Sequence, residues 1–440
     1  MSIALKDNPA ELAAAAAAVA EANALPLEQI NPAHAKRFQD NTLWPFFERL
    51  RREDPVHYTP DSEWGRYWSI TKWEDIVAVD TNYQDFSSTG GITLSTRAQR
   101  EQFKKELQGR SPASFRDAAI RGDASFIGLD EPFHGPKRKA VSPTVAPANI
   151  EVLSPLVRER AGQILDGLPI GKEFDWVDKV SKELTLMTLA TLLDFPQEQK
   201  RKLLYWTSQR HDDGREQSPE ERRQAQAERI AVFDEMWERK VNSPPSNDLI
   251  SMLAHNDATR NMGKDEYHGN VGVLIVGGND TTRNTISGSV YELNRNPEQY
   301  EKLRANPGLI PSMMSETIRW QTPLAHMMRS ATKDIEFKGK LIKKGDKVVM
   351  WYISGNRDET MIENPNSYII DRPRARQHLS FGFGVHRCVG NRVAEMQLTI
   401  IWEEILKRFP KITVVGEPRR TLSSFIHGFD TLPVVIPARA

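Results

Sequence analysis

The sequence predicts a mainly α-helical protein with small β-sheets, an α+β fold, and three observations carry that expectation. From Ile150 to Val241 apolar and charged residues alternate at helical spacing, as in Leu186, Leu189 and Leu193, which fall at i, i+3 and i+7. Short β-rich pieces bounded by turn residues stand on either side of this helical middle. No internal repeat and no interdomain linker divides the chain, so we expect one domain over 42–440 preceded by an Ala-rich arm over 1–41.

Composition narrows the function. Lys plus Arg number 59 and Asp plus Glu number 59 in 440 residues, so net charge recommends neither nucleic acid nor an anionic membrane as partner. With 39% hydrophobic residues the chain can bury a large core. The run ELAAAAAAVAEANA from Glu11 to Ala24 lacks the ~20 strongly apolar residues of a membrane span, and no basic n-region precedes it. It reads as a marginal Ala-rich helix or ordered arm, with no integral membrane anchor. A single cysteine leaves no internal disulfide, which fits a soluble, cytoplasmic protein.

Taken in order, the chain shows a helical pattern from Thr42 to Arg52, then β-rich pieces at Val56–Tyr58 and Tyr67–Ile70. Thr71-Lys72-Trp73-Glu74 reads as a capping box opening a helix. From Phe86 to Phe126 a polar stretch without periodicity predicts a long surface excursion. His134 and Arg138, four apart, share one face if helical, suited to two anionic groups or to a solvated basic turn. The charged run Gln209–Arg229 is a solvated face. Val271–Asn284 starts as an apolar helix and then puts Gly277, Gly278, Asp280, Thr281 and Thr282 in its interior; glycines cost roughly 1 kcal/mol each there, so this is either a site or a kink filled by self-bonded Thr. Glu316 and Arg319 are spaced as a helix ion pair. Ile335–Phe337, Leu341–Ile342 and Lys347–Trp351, with turns at Lys338-Gly339 and Lys344-Gly345, are small β pieces. Ser424–Leu432 is a loop whose Phe425, Ile426 and Phe429 are apolar enough to enter a pocket.

Cys388 lies in LSFGFGVHRCVGNRVAEMQL, from Leu379 to Leu398. Alone, it reads equally well as a buried small hydrophobe. Around it stand Phe381, Gly382, Phe383, Gly384, His386, Arg387 and Gly390, with a helix-forming run from about Asn391. Glycines at this density let backbone approach a flat group, and a sulfur at a helix N-terminus beside cations is biased toward thiolate. One thiolate offered to a large planar group points to an axial haem ligand. No nicotinamide or flavin fingerprint is present.

The pattern F-G-x-G-x-H-R-C-x-G, followed by Ala394 and Glu395, closely resembles the haem-binding signature of the cytochrome P-450 superfamily of haem-thiolate monooxygenases. The resemblance runs from about Thr42 to the C-terminus. It extends to D-x-P-x-H-x-x-x-R ending at Arg138, to GGNDTT from Gly277 as the family's I-helix motif, and to Glu316-x-x-Arg319 with Arg372 as a structural triad. It implies the P-450 fold, with haem b between the I and L helices and Cys388 as iron ligand. It further implies Gly277 and Gly278 opening room for O2, Asp280 and Thr281 relaying protons, and His134, Arg138, Arg329 and His386 around the propionates, with Phe381, Gly382 and Gly390 also holding the cofactor. For His386 a packed neutral imidazole is the competing role.

The same resemblance implies that NAD(P)H serves only indirectly, through a ferredoxin and ferredoxin reductase, with Lys137, Lys139, Arg387 and Arg392 steering the acidic partner. It sets the charged Gln209–Arg229 run at the family's mobile F–G lid. VGGNDTTRN, the Cys388 segment and WYISGNRDE look most like the bacterial branch that hydroxylates medium-chain n-alkanes and fatty acids at the terminal carbon. Leu274, Ile275, Leu324, Met327 and Phe425 are candidates for a pocket taking such a small apolar substrate, and each is equally a core residue. A steroid or terpenoid hydroxylase is the alternative within the superfamily, and a non-catalytic haem-binding sensor or carrier the alternative outside it. The Asp280-Thr281 pair speaks against a carrier and against a peroxide-driven enzyme.

Overall fold

The computed structural model describes residues 8–101, 125–207 and 217–440. Part of the Phe86–Phe126 excursion and the first part of the Gln209–Arg229 run lie outside them, as do residues 1–7 of the arm.

The Ala-rich run forms helix α1 (Pro9–Ala24), capped by Asn8, whose side chain accepts from the Ala10 amide at 3.0 Å. A lone helix of this length is marginal in water. Here Ala18 and Ala22 are buried against Ile30, Phe46 and Leu50, and Glu11 and Glu21 pair with Arg295 and Arg37. Helix α2 (Trp44–Glu53) supplies Phe46 and Leu50 from one face, and its Arg49 donates to the carbonyls at the end of α1.

A five-stranded sheet follows, built from β1 (Val56–Thr59), β2 (Tyr67–Ile70), β3 (Phe86–Ser87), β4 (Met327–Ala331) and β5 (Lys347–Met350), in the order β1-β2-β5-β4-β3. β2 runs parallel to β5, with Trp68 opposite Val348, and the other pairs are antiparallel. The edge strand β3 is where the polar excursion leaves the sheet. A two-stranded hairpin at Ile335–Phe337 and Lys340–Ile342 turns through Lys338 and Gly339, at φ 51 and 75°. Helix α3 (Trp73–Thr81) joins β2 to β3, but its capping box does not form: Thr71 Oγ1 donates to the Pro55 carbonyl, and Asp358 Oδ2 accepts from the Trp73 amide at 2.8 Å. A distant carboxylate has replaced the local cap.

Two small sheets, one of Glu173–Asp175, Pro433–Val435 and Thr413–Val414 and one of Arg419–Arg420 with Phe429–Thr431, stand beside the principal helices: α4 (His134–Val141), α5 (Pro147–Asp166), α6 (Glu183–Leu193), α7 (Pro219–Val241), α8 (Lys264–Arg295), α9 (Ile310–Gln321) and α10 (Asn391–Arg408). α7 opens with a formed capping box, Ser218 with Glu221. The 32-residue α8 crosses the molecule, with Ile286, Val290 and Tyr291 packed among Trp176, Ile318, Trp402 and Phe409. Trp402 Nε1 donates to Ser289 Oγ at 2.8 Å, so α10 is held against the second half of α8 by a satisfied polar contact inside an apolar core. The first half of α8 is left facing the loop that precedes α10.

The C-terminal loop divides its aromatic residues. Phe425 and Ile426 reach the cavity described below, whereas Phe429 is buried in the core, its ring 5.5 Å from that of Tyr291. The pocket role expected for Phe429 is therefore corrected: it sits in the short strand Phe429–Thr431, tied by its amide to Asn284 Oδ1 at 2.9 Å.

Candidate active site

The Cys388 loop is built on two left-handed glycines. Gly382 and Gly384 have φ of 66 and 65°, and a Cβ on Gly384 would lie 2.9 Å from the Asp80 carbonyl and 3.1 Å from Thr81 Cα, so α3 passes too close for any side chain. The loop closes on itself through the Cys388 amide, which donates to the Phe381 carbonyl at 2.7 Å. Asn356 fixes its start, accepting from the Leu379 amide at 2.7 Å and donating to Ser380 Oγ at 2.9 Å. Cys388 is exposed, but into a cavity rather than to bulk solvent. Burial pushes its thiol above the ordinary value, against the pull of the Gly390 amide, the Arg138 and Arg387 charges and the Asn391 amide. The expected bias toward thiolate is thus corrected for the protein by itself: the helix N-terminus and cations are present, and desolvation outweighs them.

Across the cavity from this loop runs α8. Leu274, Gly277, Gly278, Thr281 and Thr282 line it. At Gly277 a Cβ would meet nothing within 4 Å, and at Gly278 it would approach Leu189 Cδ1 at 3.2 Å. The helix is continuous through these glycines, and Thr281 Oγ1 bonds back to the Gly277 carbonyl at 2.9 Å. Asp280 is turned off the cavity wall and pairs with Arg283 at 2.9 Å, as its rotation about the helix by one residue requires. Ile275 is likewise misassigned by the sequence reading: it is fully buried in the core with Val271 and Leu249 and does not line the cavity, whereas Leu324, Met327 and Phe425 do.

One end of the cavity gathers cations and imidazoles. Arg138 and Arg329 line it. Arg138 donates to the Arg387 carbonyl, and the buried Arg329 donates to the Met328 carbonyl and to Asp80 Oδ1 at 2.9 and 2.8 Å. His134 and His386 stand ring to ring at 4.2 Å. Neither nitrogen of His134 makes a hydrogen bond, the Glu131 carboxylate standing 3.5 Å from Nδ1, and Nδ1 of His386 is buried without a partner while Nε2 meets Ser88 Oγ at 3.0 Å. Burial, then the Arg329, His134 and Arg138 charges, hold His386 down to about 2, so it is a neutral imidazole.

Behind the loop, Glu316 receives Arg319 through Nε and Nη2, both at 2.7 Å, and Arg372 Nε at 2.9 Å, with all three side chains buried. The expected triad is formed, and its spare guanidinium N–H groups bind the carbonyls of Asn356, Glu363, Pro365 and Ser367. Lys137, one of the four basic residues expected to steer a partner, is paired with Glu266 at 2.6 Å.

This arrangement matches a known family. The family model described as Cytochrome P450 matches residues 170–307 and 308–425. The chain belongs to the cytochrome P450 family. It is 34% identical over 398 residues to the linalool 8-monooxygenase of Pseudomonas putida, across 89% of this chain and 94% of that enzyme. It is 31% identical over 405 residues to the methyl-branched lipid omega-hydroxylase of Mycobacterium tuberculosis strain H37Rv, across 88% and 90%. Among solved structures it resembles CYP153D17 from Sphingomonas sp. PAMC 26605, with 42% identity, a TM-score of 0.82, and coverage of 92% of this chain and 98% of that one.

As a cytochrome P450 monooxygenase the protein uses haem b and O2, with NAD(P)H electrons delivered by redox partners. The residues present in this P450 fit the haem. The lone thiol faces a broad apolar cavity, open backbone lies opposite it at Gly277, and two guanidiniums with orphaned imidazole nitrogens stand at the edge, as two carboxylates would require. Among the described residues no helix is long and apolar enough to cross a membrane.

Asp80, Tyr352, Ser88 and Asn356 escaped the sequence reading. Asp80 is one acid among several on a short helix, and nothing in its neighbourhood marks it as buried. The phrase containing Tyr352 and Asn356 was visible as WYISGNRDE, but its polar run follows a strand and carries no periodicity that assigns roles.

Proposed function

We propose that this cytochrome P450 hydroxylates the terminal carbon of medium-chain n-alkanes or fatty acids, with electrons from a ferredoxin and its reductase. The observation that carries the reading is the cavity opposite Cys388: its upper wall is Ile92, Leu189, Leu192, Leu324, Met327 and Phe425, and the charges that reach it, Arg138 and Arg329, stand at the end fitted to the haem carboxylates. A substrate there is recognised by burial of CH₂ groups, at about 0.8 kcal/mol each. The name of one relative, an omega-hydroxylase of methyl-branched lipids, supports the terminal position.

In this reading Cys388 ligates the haem iron, and His134, Arg138, Arg329 and His386 receive its carboxylates. When bound, the haem supplies O2 activation and insertion of one oxygen atom into the C–H bond. Thr281 presents a hydroxyl to the cavity, its proton at rest on the Gly277 carbonyl, and relays a proton by releasing that one toward the cavity as it takes another in its place. Asp280, partly exposed and held by Arg283, is the carboxylate through which the replacement proton passes from the solvent side. The apolar wall excludes water from the rest of the site. A sensor or carrier has no use for this acid and alcohol.

Products of octane and of dodecanoic acid, analysed by gas chromatography after reconstitution with ferredoxin and reductase, test the reading. It expects mainly 1-octanol and the ω-hydroxy acid; mainly subterminal alcohols would overturn it. The 34% identity to a linalool 8-monooxygenase favours a second reading, terpenoid hydroxylation, which predicts turnover of linalool and neither linear chain.

A further inference from the structure

Asn279 stands beside Asp280 on α8, 1% exposed and off the cavity wall. A buried primary amide needs partners for both its nitrogen and its oxygen. Its Nδ2 donates to Asp280 Oδ1 at 3.3 Å, and its Oδ1 accepts from Thr185 Oγ1 of α6 at 3.1 Å. A carboxylate only accepts, which fixes the amide with Nδ2 toward Asp280. Thr185 has one proton to give and also reaches the Ser181 and Lys182 carbonyls at 2.9 and 3.1 Å, but Asn279 Oδ1 has no other donor among the described residues. A second contact, Ser181 Oγ with Ser287 Oγ at 2.9 Å, ties the turn leading into α6 to α8 as well.

The contacts of Asp280 fall on one oxygen. Arg283 Nη2 stands 2.9 Å from Oδ1, the atom that Asn279 also holds, and Oδ2 has neither hydrogen bond nor ion pair among the described residues. Arg283 alone, on a long side chain of its own helix, would leave the carboxylate free to turn about its Cβ–Cγ bond and exchange its oxygens. Asn279 is packed and tied to a second helix, and it removes that freedom. A proton arriving on Oδ1 would have to displace two N–H groups, whereas Oδ2 is open.

We propose that Asn279 is a positioning residue for proton delivery: tethered to Thr185, it pins Asp280 Oδ1 and so keeps Oδ2 as the oxygen that takes up and hands on protons. This rests on the reading of Asp280 and Thr281 as the proton route. Each proton that arrives on Oδ2 leaves from Oδ2, so the carboxylate is regenerated at every transfer. Asn279 exchanges no proton itself and acts only through Asp280.

The test is steady-state kinetics of the reconstituted holoenzyme on octane and on linalool, for Asn279→Leu, Asp280→Asn and the two combined. Asn279→Leu strands no partner, because the Thr185 proton falls back on the Ser181 carbonyl. It should lower kcat about 10-fold, through loss of one hydrogen bond to a charged group, with KM and the Soret band of the reduced carbon monoxide complex unchanged. In the Asp280→Asn background it should cost nothing further, since a residue that acts through Asp280 then has nothing to position. Thr185→Val should slow turnover in the same direction and Thr185→Ser, which keeps the hydroxyl, should not; this pair carries the test if Asn279→Leu fails to hold haem. Equal losses in the two backgrounds, or an unchanged kcat in Asn279→Leu, would overturn the positioning role. Asp280→Asn separates the two levels: if it is slow and Asn279→Leu is not, the tether is wrong and the proton route stands; if Asp280→Asn turns over as fast as wild type, the failure lies with the proton route itself.

Discussion

The Asp80 carboxylate meets the Arg329 guanidinium at 2.8 Å with both side chains buried, and its second oxygen accepts from the Tyr352 hydroxyl and the Phe383 amide, each at 2.8 Å. One acid on α3 therefore binds a cation of the cavity edge and the loop that carries Cys388. Asp80→Ala leaves that cation buried and uncompensated and should cost about 3–5 kcal/mol of stability, whereas Tyr352→Phe, which removes one hydrogen bond, should cost about 1 kcal/mol. Urea unfolding of both variants, with haem content measured beside it, checks the ranking.

Glu316 is the shared acceptor of Arg319 and Arg372, and its loss frees two buried guanidiniums at once. Glu316→Gln should lower stability by about 3–5 kcal/mol and reduce haem incorporation, because the arginines also organise the carbonyls of the segment leading to Cys388. A variant of wild-type stability that takes up haem normally would remove the triad from this role.

Histidines set an acid limit. Burial holds His326 and His427 down to about 4 from an ordinary 6.5, each with Nδ1 on a backbone carbonyl and Nε2 unpartnered. The unfolded chain takes up protons below about pH 6.5 that the folded chain refuses until about pH 4. Stability present above pH 6.5 is therefore lost as pH falls through this window, by about 1.4 kcal/mol per pH unit for each histidine. Urea midpoints should decline from pH 6.5 to 5, before most carboxylates titrate; a flat profile there would contradict the buried neutral assignment.

Thr281 faces the cavity and Asp280 does not, so the two substitutions should differ in kind. Thr281→Ala should keep consuming NADH in the reconstituted system while product falls and hydrogen peroxide rises. Asp280→Asn should slow both together, since it removes the supply and not the acceptor. Unchanged product per NADH in Thr281→Ala would remove Thr281 from the proton path.

What the sequence revealed follows from how each feature is encoded. The Cys388 loop, the α8 motif and the Glu316–Arg319 pair are local, with spacing set by one turn or one helix, and their residues come together as their order implies. Asp80, Ser88 and Asn356 act across long separations, 249 residues from Asp80 to Arg329 and 298 from Ser88 to His386, so no window of sequence contains the relationship. The same limit explains the misread cap at Thr71, where Asp358 takes the amide of the helix start and Pro55 takes the Thr71 amide and hydroxyl, and Ile275, which one residue of rotation moved from cavity to core. The thiol of Cys388 was read from its charges, which are adjacent in sequence, and not from its burial, which is not.

The most direct test of the account is the reduced carbon monoxide complex of the purified protein, since Cys388 is the only cysteine in the chain. The wild-type complex should show the Soret band of thiolate-ligated haem, and Cys388→Ser or Cys388→His should abolish it, with or without loss of haem. A variant that bound haem and kept the thiolate band would contradict the assignment of Cys388 as the iron ligand.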